Sequence, residues 1–492
     1  MLAYDDLMRF ERHTQALSAV AGRLGWDQET MMPKGAAAQR GEEHAAMESL
    51  LHSRRIDPRV GEWLATIDAT ALDAVGQANL RLIRRNFDRA SKVPADLAAE
   101  LAKVTSLAHR AWAGARAKDD FASFAPTLDH VLTLKRQEAA ALADGGNLYD
   151  ALLDDYEPGA SGADIASMFA ALRPRLVALA DRIQGASHHP ASLTGRFDEA
   201  RQMALGAEMA TVFGYDFNRG RIDKAVHPFS SGSGADVRIT TRTNLVDPFN
   251  CIYSTIHEVG HGAYEQGIDA AYALTPLGQG ASMGVHESQS RIYENQMGRS
   301  RAFTRYLHSR MIALFGDFGM SDPDAFYGTV NRVTPGYIRT EADEVHYNLH
   351  VLLRFDLERA LIAGDLQVAD LEDAWNTRFL ADFGQPVDKA SNGVLQDVHW
   401  SAGLFGYFPT YSLGNVYAGN LHNALRAAVP DLDAQLSDGD TGPATTWLNQ
   451  NLQTHGSLRT PRDTITNACG FGPRVEPLLD YLEAKFTDLY KL

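Results

Sequence analysis

The chain has 492 residues, 45% hydrophobic and 22% charged, the profile of an ordinary globular protein with ample core. Its formal charge of −16 argues against nucleic acid as the main partner, because phosphate binding needs a basic surface, and also against anionic membranes. Two cysteines, Cys251 and Cys469, argue against a disulfide-stapled secreted fold and fit a reducing cytoplasm.

The N-terminal residues are charged and hold no apolar run, so no signal peptide is read there. No segment reaches the length of about eighteen apolar residues that a membrane span needs. "DDLMRFERHTQALSAVAGRL" carries Leu7, Phe10, Leu17, Val20 and Leu24 at helical spacing. "PADLAAELAKVTSLAHRAWAGARA" and "GADIASMFAALRPRLVALADRI" read the same way, with short polar breaks such as "YEPGASGAD" and "GASHHPASLTG". With no linker, repeat or low-complexity tract, we expect one largely helical body over residues 1–492, with two lobes facing a groove. One segment departs from helix. "RGRIDKAVHPFSSGSGADVRITTRTN" has a Ser/Gly-rich turn expected over Ser230 to Gly234. Val237, Ile239 and Thr241 then alternate with Arg238, Thr240 and Arg242, predicting a β-hairpin or small sheet.

The next helix, "PFNCIYSTIHEVGHGAYEQ", should start at Pro248 with Asp247 as its cap and stop near Gly267. It places His257 and His261 on one face, about 5–6 Å apart between β-carbons, a spacing at which two imidazoles can share one zinc. Glu258 points about 100° around the helix, near enough to reach a water without ligating. Chance alone would spell HExxH in about 0.03 of such chains, so a polar helix face is the minority reading. Catalytic zinc takes a third protein ligand. The metzincin pattern is excluded, because Tyr264 and Gly267 stand where its glycine and third histidine would be. "GASMGVHESQSRIYENQMGRS" offers Glu287 and Glu294, of which Glu287, near the helix start, is preferred; His286 beside it should line the site. Cys251 reads as a small buried side chain, His346 and His350 as structural helix histidines, and His188 and His189 as exposed loop residues.

Further segments accompany these: "LGWDQETMMPKGAAAQR", "YDALLDDYEPG", "HPF" from His227, "DVRIT" from Asp236, "HEVGH", "HESQ" from His286, "GVLQDVHW" from Gly393, and "GLFGYFPTYSLGN". In that order they resemble the carboxypeptidase Taq family of metallocarboxypeptidases from end to end. The resemblance implies a mainly α-helical, saddle-like zincin body with a deep central groove and a small sheet beside the site. It implies a cytoplasmic, homodimeric enzyme that needs zinc, cobalt or another divalent ion and releases C-terminal residues from peptides. Glu287 becomes the third ligand by the same carry-over. Glu258 would act as general base. Tyr407, Tyr411 and His399 are candidates to stabilise the oxyanion or bind substrate, and His227 to bind substrate. A free substrate carboxylate calls for an arginine: Arg339, in "IRTEAD" on an expected polar helix, or Arg238 in "DVRIT". The edge of the predicted hairpin could accept an extended peptide. The alternatives are an oligopeptidase that cuts internal bonds and a metal-binding protein without catalysis.

Overall fold

The stretches with helical spacing form helices: Leu2–Thr30, Ala95–Arg116 and Gly162–Gln184. A computed structural model describes residues 2–492. In the first helix Leu7 is fully buried and joins Val60, Leu64, Leu80 and Ile83 in a core cluster. Val20, expected on the same face, is 45% exposed. Thirteen residues beyond Leu7 it has drifted roughly 140° around the helix, because 3.6 residues per turn do not keep those two positions aligned.

The chain divides into two compact units. One is built from residues up to Ser91, Pro190–Asn331 and Tyr417–Pro473, the other from Lys92–His189, Arg332–Val416 and Arg474–Leu492. Among the described residues no helix is long and apolar enough to cross a membrane.

The first unit holds the sheet. β1 (Ile222–Lys224), β2 (Ser230–Ser233) and β3 (Asp236–Thr241) lie in the order β1-β3-β2, with β1 parallel and β2 antiparallel to β3. Val237, Ile239 and Thr241 are buried, as their alternation predicts. The expected turn is displaced. Ser230–Ser233 is itself strand β2, paired through Ser233 to Asp236, and the reversal falls at Gly234, which takes a φ of 61°. Strand pairing is a backbone matter, so a Ser/Gly run can pair when a firm neighbour such as β3 offers free groups. Gly232 is needed for that approach: a β-carbon there would meet the Asp236 carbonyl oxygen at 2.0 Å.

β3 leads into the helix Pro248–Gly267. Asp247 caps it, its side chain accepting from the Phe249 amide at 3.1 Å, with Pro248 in the first turn. Cys251 is fully buried against Gln202 and Thr241, as its small apolar character predicts. The helix Met283–Arg291, capped by Ser282, packs against it and runs into a π-helical turn, Ile292–Gly298. Gly260 lies at the closest approach. A β-carbon there would fall 2.5 Å from both the Gln289 carbonyl oxygen and Ser290 Cα. The two glycines that weaken "HEVGHG" as a helix are thus packing positions, Gly262 meeting the ring of Tyr215.

Alanine gains about 1 kcal/mol of helix propensity over glycine. At Gly260 its methyl would strike backbone atoms that cannot rotate away, and overpacking of this kind costs about 1–3 kcal/mol. We expect Gly260→Ala to lower the thermal unfolding temperature. Gly114→Ala, in open space on the helix Ala95–Arg116, should raise it slightly.

Candidate metal centre and active site

One ring nitrogen each from His257 and His261 and one carboxylate oxygen of Glu287 lie within 4.8 Å of one another. Glu287 Oε2 is 3.5 Å from His261 Nε2 and 3.8 Å from His257 Nε2. Ligands about 2.0–2.2 Å from one ion at tetrahedral angles are separated by roughly 3.3–3.6 Å, so the 3.5 Å separation matches a shared divalent metal and the 3.8 Å one is slightly wide. Two imidazoles and a carboxylate also form a donor set that suits zinc and its transition-metal neighbours. The residues present therefore fit the ion that the sequence motif implies.

Each side chain is aimed by its surroundings. His257 donates from Nδ1 to Glu294 Oε2 at 2.9 Å, which turns Nε2 toward Glu287. Glu294, weighed in the sequence as a third ligand, therefore meets the outer nitrogen of His257, while Glu287 faces both Nε2 atoms. Arg291 and Arg299 also bond Glu294, each at 3.3 Å. Arg291 donates to Glu287 Oε1 at 2.7 Å, leaving Oε2 to face the histidines. Burial would raise the Glu287 pKa, but Arg291 and His257 outweigh it and hold the carboxyl well below the usual range. Burial pushes His261 down to about 3, so it stays neutral. Glu258 is buried beside His257 with no hydrogen-bond partner on Oε2, and burial pushes its carboxyl up to about 7. His286 Nδ1 lies 2.6 Å from His261 Nδ1.

The second unit gathers a different set. Arg339 sits in a single 3₁₀ turn, Arg339–Glu341, and not on the polar helix expected for it. Pairing explains this: Asp397 Oδ1 accepts from Arg339 Nη2 at 3.0 Å, and Gln396 Oε1 accepts from its backbone amide at 3.0 Å. Asp397 Oδ2 accepts from Arg354 Nε at 2.6 Å. One carboxylate thus serves two buried guanidiniums. Arg339 also lies over Tyr411, 4.9 Å from the ring centroid. The rings of Tyr407 and Tyr411 are 5.4 Å apart, and His399 is 5.4 Å from Tyr407. Burial pushes His399 down to about 4, so its ring is neutral near pH 7. Buried Glu358 holds this region together. It accepts from Trp400 Nε1 at 2.9 Å, Tyr149 Oη at 3.0 Å and the Gly406 amide at 3.1 Å.

Two sequence candidates are placed otherwise. Arg238 on β3 has its fork filled by Asp236, at 2.8 and 3.0 Å, and lies over Trp26. His227 is exposed on the segment joining β1 to β2. His346 pairs with Asp343 at 2.8 Å, and His350 is buried among Phe379 and Phe383. His188 and His189 are exposed. Glu294, Arg354, Asp397 and Glu358 were not assigned these contacts from the sequence. Arg354 and Glu358 carried no local signal, standing beside other charged residues, Asp356 and Arg359, in the same helix, whereas Asp397 lay inside the quoted "GVLQDVHW".

Fold and site together define a metallopeptidase with a helical HExxH and a distant glutamate. The chain belongs to the carboxypeptidase Taq (M32) metallopeptidase family, whose model matches residues 6–486. It is 40% identical to thermostable carboxypeptidase 1 of Thermus thermophilus over 99% of each chain, and 33% identical to carboxypeptidase 1 of Bacillus subtilis over 99% of this chain and 98% of the relative. The M32 carboxypeptidase structure from Deinococcus radiodurans superposes with a TM-score of 0.97 at 37% identity, covering 100% of both chains. Trypanosoma cruzi metallocarboxypeptidase 1 gives 0.96 at 32% identity, covering 99% of both. The protein is a metallocarboxypeptidase, a peptide hydrolase.

Burial would raise the Asp397 pKa, but Arg354 and Arg339 more than reverse it and hold the carboxyl well below its ordinary value. A depressed carboxyl contributes stability that is present above the unfolded pKa, about 3.9, and is lost as pH falls toward the folded value. Asp397→Asn leaves two buried guanidiniums without their anion, a change that costs about 3–5 kcal/mol when a buried pair is broken. Denaturant midpoints measured across pH should show a less stable variant at neutral pH and a shallower acid decline below about pH 5.

Proposed function

We propose that the chain is a zinc-dependent carboxypeptidase of broad specificity, with His257, His261 and Glu287 as metal ligands and Glu258 as general base. Three ligand atoms within 4.8 Å, beside a buried glutamate, carry the proposal. A divalent ion held there would supply Lewis-acid polarisation of the scissile carbonyl and a lowered pKa for the attacking water. Glu258 takes the proton of that water at its carboxylate as the water attacks, then delivers it to the leaving amine. Its unpartnered Oε2 leaves an acceptor free for this work. Tyr407, Tyr411 and His399 are the candidates to donate to the oxyanion. β2, an edge strand of Ser and Gly, is suited to hold an extended peptide through its backbone, which would favour broad specificity.

Arg339 is our choice for the group that grips the substrate carboxylate. Two guanidiniums sharing Asp397 leave one positive charge over, which a carboxylate would neutralise. Arg238 is the weaker alternative, since Asp236 already fills its fork. Homodimerisation and a cytoplasmic location belong to the same proposal; the two free cysteines agree with a reducing compartment.

Glu258→Gln keeps the shape of the side chain but cannot take a proton. It should retain one equivalent of metal and lose at least about 10²-fold in peptide hydrolysis. Near-normal turnover with metal bound would sink the assignment. Arg339→Ala should remove one charged hydrogen-bonding partner, about 1.5–3 kcal/mol or one to two decades in efficiency, on free-acid peptides. C-terminal amides of the same peptides should be barely affected. The ratio of the two efficiencies is the measurement; an oligopeptidase would show no preference for the free acid in either protein.

A further inference from the structure

One stripe of the helix Pro248–Gly267 continues past the two histidines. Glu265 lies one turn beyond His261 and is buried, with Oε2 unpartnered. His286, from the first turn of the helix Met283–Arg291, lies between them. Its Nδ1 is 2.6 Å from His261 Nδ1, and its Nε2 is 3.0 Å from Glu265 Oε1. The same oxygen accepts the Gly280 amide at 3.1 Å, and Tyr264 Oη accepts the Ala281 amide at 3.0 Å. The loop is pressed onto the imidazole, since a β-carbon at Gly280 would meet His286 Cδ2 at 2.7 Å and the Tyr264 ring at 2.9 Å.

This chain of contacts has one consistent proton arrangement with a neutral His286. A carboxylate only accepts, so His286 must carry its proton on Nε2. Its Nδ1 is then an acceptor, so His261 must donate from its own Nδ1. That leaves the lone pair of His261 on Nε2, the atom facing Glu287. Resting on the ligand assignment proposed above, we infer that His286 and Glu265 are positioning residues, a relay that locks His261 in the metal-binding tautomer and orientation. His257 obtains the same result directly from Glu294. His261 obtains it through a second imidazole because its outer nitrogen meets His286 before it could meet an acid.

The test is zinc affinity, measured on metal-free protein by competition with a chromogenic chelator, alongside the thermal unfolding of that metal-free protein. His286→Phe keeps a ring of similar size but offers His261 no acceptor. It should bind zinc about 10–100-fold more weakly, the usual cost of losing an outer partner, with metal-free unfolding close to the parent's. His286→Gln, which restores an acceptor oxygen, should recover part of the loss. Glu265→Gln should fall between parent and His286→Phe, and it decides the matter alone if His286→Phe does not fold. Zinc affinity within about twofold of the parent in the folded His286 and Glu265 variants overturns the relay, as does a loss that only mirrors a loss of metal-free stability. His261→Ala separates the two levels. If it retains a full equivalent of zinc, the ligand assignment itself falls; if it loses zinc while His286→Phe binds normally, only the relay falls.

Discussion

The candidate metal centre depends on how closely two helix backbones meet at Gly260. The helix Pro248–Gly267 carries the two histidines and the helix Met283–Arg291 carries Glu287, and only at contact distance does the carboxylate reach both Nε2 atoms. Any side chain at position 260 would stand between them. The same contact brings His286 onto His261. Caps at Asp247 and Ser282 fix where each helix starts, and therefore which residues face the seam.

Buried charge is then unbalanced in opposite senses in the two clusters. Around the histidines, four acids, Glu258, Glu265, Glu287 and Glu294, stand against two bases, Arg291 and Arg299, an excess of acidic groups suited to a divalent cation. In the second unit, Arg339 and Arg354 stand against Asp397 alone, an excess of positive charge suited to an anion. Burial makes both imbalances matter, since an uncompensated charge away from water is costly until its partner arrives. Glu358, with three donors converging on it, carries no such excess demand and serves instead to pin the chain around Trp400 and Gly406.

Much of this was legible without coordinates, but unevenly. The helix Pro248–Gly267 announced its cap, its first proline and its stop, because those signals are local and each rests on one or two residues. The His257–His261 pair was legible for the same reason, as a fixed rise per residue converts a spacing of four into a shared face. Strand β2 was mistaken for a turn, since its Ser/Gly run has no pattern of its own and pairs only because β3 lies alongside. Val20 was placed inward by a spacing that drifts over nearly four turns.

The sequence by itself determined the family, the helical class and the HExxH motif, because these reside in contiguous residues whose geometry the helix dictates. Only the tertiary structure decided which atoms those residues present to one another. Glu294 reaches His257 across 37 positions, Glu265 reaches His286 across 21 and His286 reaches His261 across 25, and Asp397 reaches Arg339 and Arg354 across 58 and 43. No local pattern encodes a hydrogen bond across such a gap; it follows from where packed backbones place each carboxylate, and from the need of every buried charge for a partner.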